Sequence, residues 1–388
     1  MINISKIKIS LVVLFVLLLT SSLCTSACAE EIYNNTDTEE ILTRLYRDSG
    51  ADELINIIPD DARSFLSMLD IEDFRPDSTA SFTLDSVIKA LSYIIADNYT
   101  EPLRVLISIV SIIIINALFT SLKSGGLSGA LEITLSTVTV LCTVTIISPP
   151  VLSLISTLTE TIKTSSDFML MYIPVISVLI ASSGKPLSAS MYYGVMVYLC
   201  SALLKIVSVI VIPLIRSVTA LSVVGSVSDK VRFTGVTELF KKILRITLTF
   251  CMSVFTAFLT MRSIITTSQD SLSDRAVKFA ISNFVPLVGG ALSDAYQTVI
   301  SCVKVLKSGV GVTAMIAVAA IFLPAVLRCF IWQTALSAGV AVCGIFEDNR
   351  TSSLLSSLAN VVSSVCAIEL CTMVMYIIST TVIILSGG

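Results

Sequence analysis

Histidine is absent from all 388 residues. That removes Ser-His-Asp and Cys-His nucleophile systems, histidine metal sites and a histidine proton relay. Charge is scarce as well: Asp, Glu, Lys and Arg make up 14% of the chain, against about 25% in soluble domains. A chain of this length could bury a large soluble core, but it has too few charges to cover the surface of one. Soluble, disordered, collagen-like and coiled-coil readings fall away. The sequence has no HExxH, no Gly-x-Ser-x-Gly, no CxxC and no fixed-period repeat. What it has is a 54% hydrophobic content and a mean hydropathy of +0.92. The class that fits is an all-α, polytopic membrane protein. It is not an enzyme on this reading, and no cofactor is called for.

The few charges are unevenly placed. Glu30 to Glu101 carries 17 acidic and 5 basic residues, whereas Leu103 onward carries 18 basic and 11 acidic. No soluble stretch is both large and basic, so nucleic acid is not an expected partner. Residues 1–29 read as a signal peptide, with Lys6 and Lys8 before an apolar run and Ala27-Cys28-Ala29 as the cleavage site. Lipidation at Cys28 and a retained anchor are the alternatives. All three export the chain from Glu30 onward. Residues 30–102 then form a small acidic domain outside the cytoplasm, with helical stripes at Ile41, Leu42, Leu45 and Tyr46, at Phe65, Leu66 and Leu69, and at Val87, Ile88, Leu91, Ile94 and Ile95. So little apolar surface predicts docking on a partner or on the membrane part, through a stripe that includes Leu91 and Ile95.

Residues 103–388 are the membrane domain. Nine apolar stretches are visible: Leu103–Thr120, Ile133–Ser148, Phe168–Ser182, Met191–Ile215, Ile246–Ile265, Phe284–Val305, Gly309–Trp332, Thr334–Phe346 and Asn360–Leu385. Several are shorter than the roughly 17–25 residues a crossing needs, or adjoin proline. The expectation is six to eight membrane segments, some short, Pro-broken or re-entrant. The basic amphipathic stretch 216–245 belongs in the cytoplasm by the positive-inside rule. An exported N-terminal domain then requires an odd number of crossings before residue 216, yet four candidates precede it.

Four features could carry function. Gly184 and Lys185 sit in a turn after the Pro174 half-span. They share two letters with a phosphate loop but lack its spacing, and a plain interhelical turn is the competing reading. Pro286, Gly289, Gly290 and Asp294 look like a discontinuous membrane helix followed by a carboxylate, which either faces a pathway or caps the next helix. Lys205 and Glu369 lie inside long apolar stretches, where a charge costs about 2.5–3.5 kcal/mol or more unless paired or hydrated; pairing with each other would relieve both. Arg262 and Arg328, near segment ends, snorkel. Hydroxyl residues such as Thr134, Thr137, Thr139, Thr143 and Thr145 either glue helices or line a conduit. The cysteines lie in or beside apolar stretches or in the targeting segment, as small hydrophobes.

Three blocks of sequence carry a resemblance. The first is Ile173-Pro174 with Ala181-Ser182-Ser183-Gly184 and Ser188-Ala189. The second is Arg275-Ala276-Val277-Lys278-Phe279 with Asn283-Phe284-Val285-Pro286, Asp294-Ala295 and Thr298-Val299-Ile300-Ser301. The third is Phe322-Leu323-Pro324-Ala325. With the plan of signal peptide, acidic exported segment and polytopic region, the chain resembles the stage III sporulation protein AE family of endospore-forming bacteria. The resemblance implies an integral subunit of the channel or secretion-like complex that joins mother cell and engulfed forespore, set in the mother-cell membrane. It implies other membrane subunits, a cytoplasmic ATPase and a forespore protein across the intermembrane space as partners, besides the lipid bilayer. None of the blocks is catalytic. A secondary permease, with Asp294, Lys205 and Glu369 as coupling groups, is the alternative.

Overall fold

The computed structural model describes residues 36–69, 71, 73–75, 84–121, 129–227, 235–257 and 289–385, and every regular element among them is helical. The signal segment 1–29 lies outside the described residues. The acidic segment folds as α1 (Thr36–Asp48), a 3-10 helix (Ala51–Ile57), α2 (Asp60–Met68) and α3 (Leu84–Asn98). Asp60 and Asp61 open α2 behind Pro59, where the helix dipole favours negative charge. The expected stripes turn inward: Leu42, Tyr46, Phe65, Leu66 and Leu69 are buried. The third stripe divides, with Ile94 buried and Ile88 and Ile95 exposed. The domain does not stand alone. Phe74 packs on Phe168 of the membrane part at 6.2 Å between ring centroids, and all three helices rest against one long helix of that part, Gly289–Ile345.

The membrane part comprises α4 (Thr100–Ser121), α5 (Gly129–Ser182), α6 (Pro186–Ile206), a π turn (Val207–Val211), α7 (Ile212–Val227), α8 (235–257), α9 (Gly289–Ile345) and α10 (Asn349–Leu385). Among the described residues, five stretches are long and apolar enough to cross a membrane: Thr100–Phe119, Thr134–Ser182, Pro186–Ser226, Thr298–Ile345 and Asn349–Thr381. Eight of the nine apolar stretches seen in sequence fall wholly or partly in these five. The ninth, Ile246–Ile265, begins in α8 and runs beyond the described residues.

The fusion has a physical cause. Pro149, Pro150 and Pro174 all lie inside α5. A proline removes one backbone bond and crowds the carbonyl four residues back, but the residues beside these prolines, Ile147, Val151, Ile173 and Val175, are buried against neighbouring helices, and that packing carries the helix through. Hydroxyls donate to the same ladder, Thr145 to the Leu141 carbonyl at 2.9 Å and Ser177 to the Ile173 carbonyl at 2.7 Å, a pattern that also bends helices. The π turn has a similar origin. Pro213 follows it by two residues, and the widened turn, closed by the Ile212 N–H donating to the Val207 carbonyl, makes room for the ring. Because Ile133–Ser148 and Phe168–Ser182 are parts of one helix, α4, α5 and the α6–α7 rod lie between the acidic domain and the end of α7.

Specific contacts set the register of the bundle. α9 and α10 form an antiparallel hairpin through the turn at Phe346–Asp348. Along it Gly339 faces Leu355, Cys329 faces Glu369, Phe322 faces Tyr376 at 6.4 Å and Met315 faces Thr381 at 3.2 Å. α5 runs parallel to α10, joined by Arg350 to Thr137 at 3.3 Å and Tyr376 to Ser166 at 2.7 Å. α6 runs antiparallel to both, with Met196 beside Ser379 at 3.4 Å. α4 runs parallel to α9, Glu101 reaching Arg328 at 3.1 Å and Asn116 reaching Asp348 at 3.4 Å. The core is α9. Its most apolar window is 83% buried, against 17% for α4. From Gly309 to Phe322 every residue is buried. A helix apolar all round belongs in the interior, and Gly309, Gly311, Ala314, Ala317, Ala319 and Ala320 let neighbours close in on every side.

Candidate functional site

Where α10 lies against α9, α5 and α6 it carries a line of polar side chains: Glu369, Thr372, Tyr376, Ser379 and Thr380, all buried. The spacing of three, four and three residues keeps Glu369, Thr372, Tyr376 and Ser379 on one helical face. Opposite them stand Ser166 of α5 and Met196 and Cys200 of α6, and Ser165 of α5 and Thr313 of α9 are buried in the same bundle. Most of these groups are satisfied locally. Thr372 donates to the Ile368 carbonyl, Thr380 to Ile377 and Thr313 to Gly309, each at 2.9 Å. Ser165 donates to the Thr161 carbonyl. Ser166 gives its proton to the Ile162 carbonyl at 2.7 Å, so in the bond that crosses between helices the Tyr376 hydroxyl donates and Ser166 accepts.

Glu369 is different. It is fully buried, and neither carboxylate oxygen meets a nitrogen or oxygen donor, which leaves a thiol, a weak donor, as its polar neighbour. The thiol of Cys329 on α9 lies beside it, with Cys366 one turn back on α10. The nearby cation, Arg328, is engaged by Glu101. The Tyr172 hydroxyl and the Trp332 indole N–H are also buried without partners, so the interior holds several polar atoms that nothing in the fold requires. Among the described residues no group of three or more Cys, Asp and Glu is placed to hold a metal ion.

The residues singled out in the sequence fall apart in space. Lys205 is exposed on the bundle surface near the end of α6 and does not meet Glu369, so that pairing is not made. Gly184 and Lys185 form the α5–α6 turn. Gly184 has φ of 80°, a left-handed value that suits glycine, its N–H donates to the Ala181 carbonyl at 3.0 Å, and Pro186 opens α6. The interhelical-turn reading describes this geometry. Gly289 and Gly290 are the first residues of α9, and Asp294 follows in its second turn. Pro286 and the side chain of Asp294 lie outside the described residues, as does Arg262. Arg328 does not simply snorkel; it binds Glu101 across two helices. Sequence reasoning missed the polar line that Glu369 begins, because isolated Ser, Thr and Tyr residues in a span look like ordinary packing. The three-four-three spacing after Glu369 was the available signal.

Comparison with known proteins places the chain. It is 29% identical over 234 residues to the stage III sporulation protein AE of Bacillus subtilis (strain 168), a match that covers 59% of this chain and 58% of that protein's length. No solved structure matches. The family model for stage III sporulation protein AE matches residues 70–387, from between α2 and α3 of the acidic domain to just past α10. The chain therefore belongs to the stage III sporulation protein AE family.

Proposed function

We propose that the chain is a non-enzymatic, integral membrane subunit of the channel or secretion-like complex between mother cell and forespore. It sits in the mother-cell membrane, with residues 30–102 in the intermembrane space and 216–245 in the cytoplasm. The observation that carries this reading is the seating of the acidic domain on the bundle, through Phe74 on Phe168 and through α9. One body thereby links the exported domain to α7, which packs on α5 and α10 and carries Arg216. Its partners on this reading are the other membrane subunits, a cytoplasmic ATPase and a forespore protein meeting the exported domain.

The permease alternative draws on Glu369, since an unpartnered carboxyl inside a membrane bundle is a usual coupling group. It loses Lys205, which stands on the outer surface. A pull-down from sporulating cells in mild detergent separates the two readings. Recovery with other membrane and ATPase subunits is expected. Recovery of this chain alone, active in solute uptake by liposomes, would replace the subunit reading with the permease.

A further inference from the structure

The long helices are far longer than one bilayer. α5 has 54 residues and α9 has 57, so they extend about 81 and 85 Å at 1.5 Å per residue, against a hydrocarbon core of about 30 Å. The register assigns heights to the side chains. Let the Asp348 turn, level with Asn116 and Thr137, be the base. Counting 1.5 Å per residue along each helix places Glu101 about 22 Å above it, Arg328 about 30 Å, Lys205 about 33 Å, Glu160 about 35 Å, Lys163 about 39 Å and Asp167 about 45 Å. All but the half-buried Arg328 are exposed. These six charges, from four helices, fall into one girdle across the bundle.

Below the girdle, Thr137–Thr159 on α5, Cys329–Ile345 on α9 and Thr351–Ile368 on α10 carry no charge. Ile107, Ile114, Leu118, Val138 and Leu141 face outward there. Two exposed arginines also lie in this band, Arg104 about 18 Å and Arg216 about 16 Å above the base. Arg104 is one turn below Glu101 and snorkels up to the girdle, whereas Arg216 stands near the middle of the band and is the charge this placement makes costly. Above the girdle a second apolar band follows, with Met171, Val178, Leu187 and Tyr193 exposed. Composition alone does not choose between the two. The acidic domain does. Phe74 meets Phe168 just above the girdle, so α1 to α3, with Asp52, Glu53, Asp60 and Asp61 exposed, stand beside the upper band. Hydrocarbon does not admit such a domain.

We propose that the bilayer surrounds only the lower band, from the Asp348 turn to the Glu101–Arg328 girdle, and that the upper half of the bundle stands outside the membrane on the side of the acidic domain. This placement fixes which part of the chain contacts lipid and does not depend on which compartment each end faces. Trp332 is the chain's single tryptophan, so W332F gives a silent background for single-tryptophan probes. The full chain carrying I107W, V178W or Y193W is reconstituted into vesicles of brominated phosphatidylcholine, and emission is compared with vesicles of the unbrominated lipid. Position 107 is expected to lose most of its emission, and positions 178 and 193 are expected to lose none. Y193W is a conservative aromatic exchange that guards against misfolding at 178. Quenching at 178 and 193 equal to that at 107, or greater, would overturn the placement.

Discussion

Replacing Glu369 by leucine tests whether the buried carboxyl serves function or packing. Neither oxygen meets a nitrogen or oxygen donor, and the Cys329 thiol beside them is a weak one. If ionised, the group costs about 2.5–3.5 kcal/mol at a helix centre; if neutral, two unmet oxygens still cost about 1–3 kcal/mol. Leucine has a similar volume and removes either penalty, so the E369L variant should be more stable by about 1–3 kcal/mol. Thermal unfolding in detergent, followed by helical circular dichroism, should show a midpoint raised by a few degrees. E369Q keeps two polar atoms and should stay near wild type. Spore yield at matched protein level is the second readout, and E369L should reduce it. A midpoint at or below wild type for E369L would refute the energetic reasoning. Raised stability with normal spore yield would refute the functional assignment.

The other predictions rest on local geometry. Glu347 adopts φ of 57° at the α9–α10 turn, so E347G should stabilise the chain by about 1 kcal/mol, read as a higher unfolding midpoint. The Tyr46 hydroxyl accepts the buried Phe74 N–H at 3.1 Å; Y46F leaves that donor unmet at about 1–3 kcal/mol, and limited proteolysis should release the acidic domain sooner. Burial raises the Tyr46 pKa above its usual value, so the folded state holds the proton more tightly. Its contribution is present below about pH 10 and is lost as pH rises through the raised folded value, so proteolysis should quicken there in wild type but not in Y46F. In a double-mutant cycle, S166A and Y376F should show a coupling of about 1 kcal/mol, and additive effects would show that the 2.7 Å bond contributes nothing.

Local chemistry was legible in the sequence wherever one residue type decides the backbone. Gly184 before Pro186 marks a turn, and the stripes at Leu42–Tyr46 and Phe65–Leu69 mark buried helix faces. Proline misled. Pro149, Pro150 and Pro174 read as boundaries because they usually end helices, whereas here the buried neighbours Ile147, Val151, Ile173 and Val175 hold the helix together across them. Phe74, in a segment without periodicity, makes the ring contact that seats the domain on the bundle, and no local pattern announces it. The polar line on α10 stayed hidden because its members matter only through helices far away in sequence, and pairs such as Ser166 with Tyr376 leave no local trace.

The hairpin of α9 and α10 also has a mechanical meaning. Four pairs at intervals along it, from Gly339 with Leu355 to Met315 with Thr381, interlock like the teeth of a rack. Sliding one helix past the other by a single residue would unseat all of them together. The pair therefore behaves as a strut, and a push or twist applied at the Asp348 turn reaches the level of Thr381 undiminished. Relative motion falls to the places where the backbone ladder is interrupted: the Gly184 turn, the π turn before Pro213, and the prolines within α5 and at Pro324 of α9.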